Sequence, residues 1–240
     1  MTRCGGPSWS FVAPTYPVLL LVSFILLLLV TLSVPIDKSI YLFRLTAAAS
    51  LKLIDSSASA SATFGVFGYC TSGVDVSIAI IHDDTSAECS KAHLGYTFPS
   101  AFASALKISG FENLISRTLT GVLALHPLVV ALTFVTLLIS LFMLRRGSNG
   151  TSRLPSLVAL IIGLITAVLT TAVFLIDVIL VAVVRKHVHN DTEGALTLSW
   201  GNAVWMTLVA AILLWIANVG ACAGVCGGNR RRTAVDAEKY

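Results

Sequence analysis

The chain has 240 residues, 16 of them Lys or Arg and 12 Asp or Glu, for a formal net charge of +4 at pH 7. Hydrophobic residues make up 56% and charged residues 12%, about half the charged share of a soluble globular domain. With a mean hydropathy of +0.87, this excludes an ordinary soluble protein, a disordered chain and a coiled coil, and makes lipid part of the solvent.

The charge-free runs place the helices. Between Arg3 and Asp37 lie 33 uncharged residues, enough to span a bilayer core. They predict an N-terminal segment, 1–15, and a first span, 16–34. The apolar stretch Val18 to Val34 outruns a signal-peptide core of about 7–15 residues, so it reads as a retained helix. A long loop, 35–121, follows. Ile40–Leu45, Thr63–Cys70 and Asp75–Ile81 have the content of strands. Gly65 and Gly68 inside the second predict a bulge or a close backbone approach. The Ser/Ala run 56–62 reads as a linker or exposed loop. Pro99–Ile108 and Phe111–Leu119 read as helical, the latter leading into a second span, 122–144. That puts Pro127 in the span's first turns, where proline costs least. A short loop, 145–155, precedes a third span, 156–184. A second loop, 185–202, precedes a fourth span, 203–223, and a tail, 224–240.

Short-loop Lys and Arg set the orientation. Arg145, Arg146 and Arg153 lie in one loop, and Arg230, Arg231, Arg232 and Lys239 in the tail. The positive-inside rule puts both in the cytosol with the two termini. Segments 35–121 and 185–202 are then outside. In 35–121 six basic residues face seven acidic ones, so no nucleic-acid partner is expected; the lipid bilayer is the partner each span requires. Cys70 and Cys89 fall on the oxidising side, and Cys4, Cys222 and Cys226 on the reducing side. Two cysteines in one compartment have one intramolecular choice, a Cys70–Cys89 disulfide, with an inter-chain or metal-bound cysteine as the alternative. The expected fold is a membrane α-helical, four-helix bundle with an extracellular, disulfide-closed subdomain built from a small antiparallel β-sheet plus helix.

The order of features carries a resemblance. A first helix leads to Gly65-Val66-Phe67-Gly68-Tyr69-Cys70, then Cys89, then Arg117 just before the second span, then two more helices. This resembles the fungal PalI family, itself distantly similar to the claudins. The claudin pattern has Gly-Leu-Trp, two cysteines and an arginine before the second helix. Here Phe67 stands in place of the tryptophan and Cys89 lies further along, which favours the fungal branch. The resemblance implies a plasma-membrane protein with Gly65, Phe67, Gly68, Tyr69, Cys70 and Arg117 as its motif. It implies a non-enzymatic accessory or organiser without cofactors, supporting a seven-helix pH sensor or associating with itself. A claudin-like cortical-domain scaffold or adhesion protein is the alternative.

Other residues are candidates on their chemistry. His82, His93, His187 and His189 face outside on this topology, as does His126. Histidine titrates nearest ambient pH, so the four loop histidines are candidate pH-responsive groups, with ordinary polar loop residues as the plain reading. His82, Asp83, Asp84, Glu88, Cys89 and His93 have a metal-like composition but no repeated ligand spacing; no metal site is expected. Asp177, in the third apolar stretch, reads as a wetted carboxylate near the outer interface or one paired with Arg185. No second acid lies in a span, which leaves a proton relay without its partner. Cys222 and Cys226, beside Arg230–Arg232, suit S-palmitoylation. Gly220, Gly224 and Gly228 suit close helix packing or a helix end. Asn190-Asp191-Thr192 is a candidate glycosylation acceptor, whereas Asn149-Gly150-Thr151 is cytosolic. No hydrolase, zinc-protease or Walker pattern occurs. The scarcity of intramembrane polar residues argues against a transporter or channel.

Overall fold

The computed structural model describes residues 9–51, 56–71, 75–78, 81–84, 88–91, 112–146, 153–191 and 196–237. They form four helices: α1 (Trp9–Thr31), α2 (Glu112–Arg146), α3 (Arg153–Asp191) and α4 (Asn202–Ala237). Seven strands accompany them: β1 (Phe43–Leu51), β2 (Ser56–Phe64), β3 (Tyr69–Thr71), β4 (Asp75–Ile78), β5 (Ile81–Asp84), β6 (Glu88–Cys89) and β7 (Leu196–Trp200). Three helices are long and apolar enough to cross a membrane, over Ala124–Met143, Leu157–Lys186 and Asn202–Cys222; α1 contributes the shorter apolar segment Thr15–Thr31. The four-helix, sheet-bearing and disulfide-closed architecture expected from the sequence is present.

The chain divides into two compact units. One combines Leu27–Leu128 with Ala172–Thr207 and holds the sheet. Its strand order is β5-β4-β2-β1-β7, with β3 pairing both β2 and β6. Every pairing is antiparallel. Alternation decides the buried face: Phe43 and Leu45 are buried and Arg44 is exposed. Phe64 and Ala62 extend that apolar face across β2, and Phe43 stacks on Phe64 with ring centroids 4.8 Å apart. The core is completed by Val30, Ile40, Val66, Val181, Ala203 and Val204. Strand β7 enters through Phe43↔Trp200 to Ala47↔Leu196. Asn202, at the start of α4, then accepts from the Tyr41 amide at 3.1 Å and donates to the Ser39 carbonyl at 2.9 Å.

The other unit combines Met1–Leu26, Val129–Thr171 and Leu208–Tyr240. Its helices expose large apolar side chains such as Phe142, Ile161, Ile212 and Val219. On a soluble protein such a surface would be a liability; in hydrocarbon it is the solvated face. The buried stripes are small or hydroxylated, including Thr133, Thr136, Ser140, Thr166 and Thr170, as close helix packing in lipid prefers.

Several sequence expectations are corrected. Residues 56–62 are not a linker: β2 begins at Ser56 and pairs with β1 along its whole length, Leu51↔Ser56 to Phe43↔Phe64. Their weak intrinsic strand propensity is overridden by two flanking partners. Thr63–Cys70 is not one strand, because the chain turns between Phe64 and Tyr69, and Asp75–Ile81 divides into the β4–β5 hairpin. Residues 196–200, read as loop, form β7. Pro127 lies in the interior of α2 rather than in its first turns, since the helix begins at Glu112. Its missing N–H leaves the Leu123 carbonyl outside the helical ladder. The helix expected at Pro99–Ile108 lies outside the described residues.

Candidate functional site

The Gly65–Cys70 motif is a tight return between β2 and β3. The Gly65 amide donates to the Gly68 carbonyl at 2.9 Å. A Cβ on Gly65 would fall 2.8 Å from the Val34 amide nitrogen and closer still to its carbonyl oxygen, so the return is pressed against the backbone that leaves α1. The Val66 amide donates to Ser33 Oγ at 3.0 Å, binding the two segments across 33 positions. On the far side, the Tyr69 amide donates to Ser90 Oγ and the Ser90 amide to the Tyr69 carbonyl. Cys70 pairs with Cys89 in register and is disulfide-bonded to it. Phe67 packs on the apolar core, and the Tyr69 ring lies 5.9 Å from that of Phe64. The motif therefore ties the end of α1, the sheet and the disulfide into one body.

In the turn leaving α1, Asp37 Oδ1 accepts from the Ser39 amide at 2.9 Å and from Ser39 Oγ at 2.6 Å. Both bonds favour the carboxylate and hold the Asp37 carboxyl below its ordinary value.

Deeper in the same unit sits a buried acid–base pair. His126 on α2 and Asp177 on α3 are each 2% exposed. His126 Nε2 lies 3.3 Å from Asp177 Oδ2. The other ring nitrogen, Nδ1, is buried without a hydrogen-bond partner. The expectation that Asp177 is wetted or paired with Arg185 is thereby corrected. Eight residues of helix, about 12 Å of rise, separate those two residues on α3, and Arg185 is exposed. The buried alternative is a neighbouring helix, and it presents His126.

Most other buried polar groups in the helices satisfy themselves locally. Thr31, Thr133, Thr136, Thr166, Thr170, Thr171 and Thr207 each donate to the carbonyl four residues earlier. Such bonds use the hydroxyl hydrogen within the helix and leave the oxygen able to accept, as Thr171 does below. In the helical unit, Asn218 Nδ2 donates to the Gly163 carbonyl at 3.0 Å and the Leu214 carbonyl at 2.8 Å. A Cβ on Gly163 would come 2.7 Å from Asn218 Oδ1, so the glycine is the notch that admits the amide. Trp215 Nε1 donates to Thr171 Oγ1 at 3.0 Å.

Most of the remaining sequence candidates are placed by their elements alone or lie outside the described residues. His82 lies on β5 opposite Ser77, with its side chain outside the described residues. His93 is wholly outside them. His187, His189 and Asn190 fall in the last turns of α3, and Arg117 early in α2; their side chains are not among those described. Cys222 on α4 is a free, exposed thiol. Cys226 continues the same helix, which runs through Gly224 and Gly228 to Ala237 rather than ending at the glycines. Gly220 has nothing within 4 Å of a built Cβ. Among the described residues, no group of three metal-ligating side chains assembles.

The His126–Asp177 pair escaped the sequence reading, although a signal existed. His126, Thr133 and Ser140 recur at sevens, as do Thr170 and Asp177, along stripes that are buried. Small hydroxylated residues at that spacing mark the protein-facing side of a membrane helix, and each stripe carries one ionisable residue.

Comparison with known proteins places the chain beside fungal pH-response regulators. The chain is 29% identical over 208 residues to the pH-response regulator protein palI/RIM9 of Pyricularia oryzae, covering 86% of this chain and 23% of that protein. It is 31% identical over 210 residues to the palI/RIM9 protein of Emericella nidulans, covering 86% and 30%. It is 29% identical over 219 residues to the palI/prr-5 protein of Neurospora crassa, covering 91% and 25%. The chain thus spans about a quarter of the length of these curated relatives. The SUR7/PalI family model matches residues 12–217, which take in the Gly65–Cys70 return, its disulfide and both partners of the buried pair. This membrane chain belongs to the SUR7/PalI family.

Proposed function

We propose that the chain is a non-enzymatic, plasma-membrane accessory of the ambient pH response. It supports a membrane pH-sensing complex through lateral helix contacts and through its outer, disulfide-closed sheet. The observation that carries this reading is the similarity to pH-response regulators over 85% or more of the chain. That similarity takes in the spans and the sheet together. The apolar composition of the candidate spans supports an organiser over a permeation path, because conduction needs lined polar sites. In this reading both termini are cytosolic, and the natural partner is a seven-helix membrane protein or a second copy of the chain.

A cortical-domain scaffold is the second reading, favoured by the breadth of a family description that joins SUR7 with PalI. Replacing the gene's product with the Gly65→Val variant in its native cells separates the two. An accessory loses growth at alkaline pH and co-purification with its seven-helix partner. A scaffold keeps the alkaline response and loses immobile membrane patches.

A further inference from the structure

The buried pair between α2 and α3 is not explained by packing alone. Burying an ionised carboxylate is expensive unless it is paired, and an apolar pair would pack the same space without that penalty. Among the described residues, Asp177 has one side-chain partner, His126 Nε2 at 3.3 Å. A carboxylate only accepts hydrogen bonds, so Nε2 carries the proton in this contact. Nδ1 is buried and without a hydrogen-bond partner.

We propose that His126 and Asp177 form a proton-operated latch between α2 and α3, closed by proton uptake at His126 Nδ1 and loosened by its release. With the proton on, imidazolium and carboxylate attract in a low-dielectric interior and the pair is neutral as a whole. With the proton off, Asp177 retains its charge against a single neutral donor, and the buried pair favours hydration and helix separation. Loosening therefore accompanies rising pH.

Among the described residues, no other charged side chain is hydrogen-bonded or ion-paired to the pair; the side chains of His187, His189 and Asp191 at the end of α3 are not among those described. The helical segments Leu27–Thr31 of α1 and Asn202–Thr207 of α4 contain no titratable residue. On α3, Arg185 and Lys186 are exposed. On α2, Arg117 and Glu112 precede His126 by nine residues or more. In the sheet, Arg44 is exposed and turned onto the Tyr41 ring, 4.9 Å from its centroid. His126 lies nine residues after Arg117, the last charged residue before the apolar run of α2, about 13 Å of helix rise.

Pro127 supplies the freedom to move. It removes one rung of the α2 ladder beside His126, and such interruptions are where membrane helices bend.

As regulation of the ambient-pH role this inference rests on the proposed function, but the latch itself is tested on purified protein. The full chain is reconstituted in lipid nanodiscs, and amide exchange of α2 and α3 is followed from pH 5 to 8, corrected for intrinsic rates. Protection around His126 and Asp177 should fall through one transition as pH rises. It should stay flat in Asp177→Asn and in the double variant His126→Gln/Asp177→Asn, whose neutral amide pair keeps a hydrogen bond in place. Formation of the Cys70–Cys89 disulfide checks folding in each. A wild-type profile without a transition overturns the latch, as does a transition that persists in the double variant. If the transition vanishes in the double variant while cells carrying it still grow at alkaline pH, the latch stands and its link to the pH response fails.

Discussion

His126 and Asp177 meet at 3.3 Å across 51 positions of sequence, each sealed from solvent on a different helix. Neither residue has a close substitute partner, so the two are energetically one unit. His126→Ala leaves a buried, unpaired carboxylate and should destabilise the protein by about 3 kcal/mol, at the lower end for a broken buried pair. His126→Ala/Asp177→Ala should cost clearly less than the two single changes added together. Thermal unfolding in detergent micelles, read as a double-mutant cycle, checks this; additive effects would contradict the coupling.

The Cys70–Cys89 bond closes a separation of 19 residues. Loop-closure entropy at that length gives about 3 kcal/mol. Cys89→Ser, or reductant added to the native protein, should lower the unfolding midpoint of the sheet. The exchange protection of Leu208–Cys222 should change far less, because that segment belongs to the helical unit. Equal loss in both would show that the two units unfold together.

Gly65 and Gly220 make a controlled comparison. Alanine at 65 meets the Val34 backbone, which has nowhere to go, and should destabilise by about 1–3 kcal/mol. Alanine at 220 meets open space and should be neutral or slightly stabilising through helix propensity. Melting temperatures of the two variants, prepared in parallel, give the answer.

Asn218 and Gly163 should behave as a lock and its notch. Gly163→Ala forces the Asn218 amide to shift, and Asn218→Leu removes the bond to the Gly163 carbonyl. Interhelical bonds of this kind contribute about 0.6 kcal/mol in membranes, so Asn218→Leu should be mild. Gly163→Ala should be much milder on the Asn218→Leu background than on wild type only if the amide is what the new methyl meets.

Asp37 gives a pH effect of opposite sense to that of the latch. Its carboxyl is held below the ordinary 3.8 by the Ser39 hydroxyl and amide. A group depressed on folding contributes in full above its unfolded value and loses the contribution as pH falls through the folded one. The turn after α1 should therefore loosen only in acid below 3.8 and be indifferent to neutral or alkaline medium. Carbon-detected titration of the Asp37 carboxyl should show its midpoint rising toward 3.8 in Ser39→Ala.

What the sequence discloses follows from how local each cause is. The helices are legible because lipid punishes every charge within a run, and the runs are long and uninterrupted. The disulfide is legible because the predicted topology leaves Cys70 with Cys89. Gly65 is legible as a close approach, though Val34 as its neighbour is not. Strand β2 was hidden because Ser and Ala become strand only between β1 and its other neighbours. Strand β7 was hidden because its five residues have their partner some 150 positions earlier. Asp177 was placed near the end of its span by counting residues along one helix, and counting along one helix cannot see what a second one presents.

The pairing of β7 with β1 has a consequence for biogenesis. Phe43 cannot meet Trp200 until α2 and α3, which lie between the two strands in the chain, have both been made. Until then β1 keeps a bare edge of unmet amides and carbonyls on the side away from β2. The sheet begun by β1 and β2 is therefore completed only after most of the chain has been made.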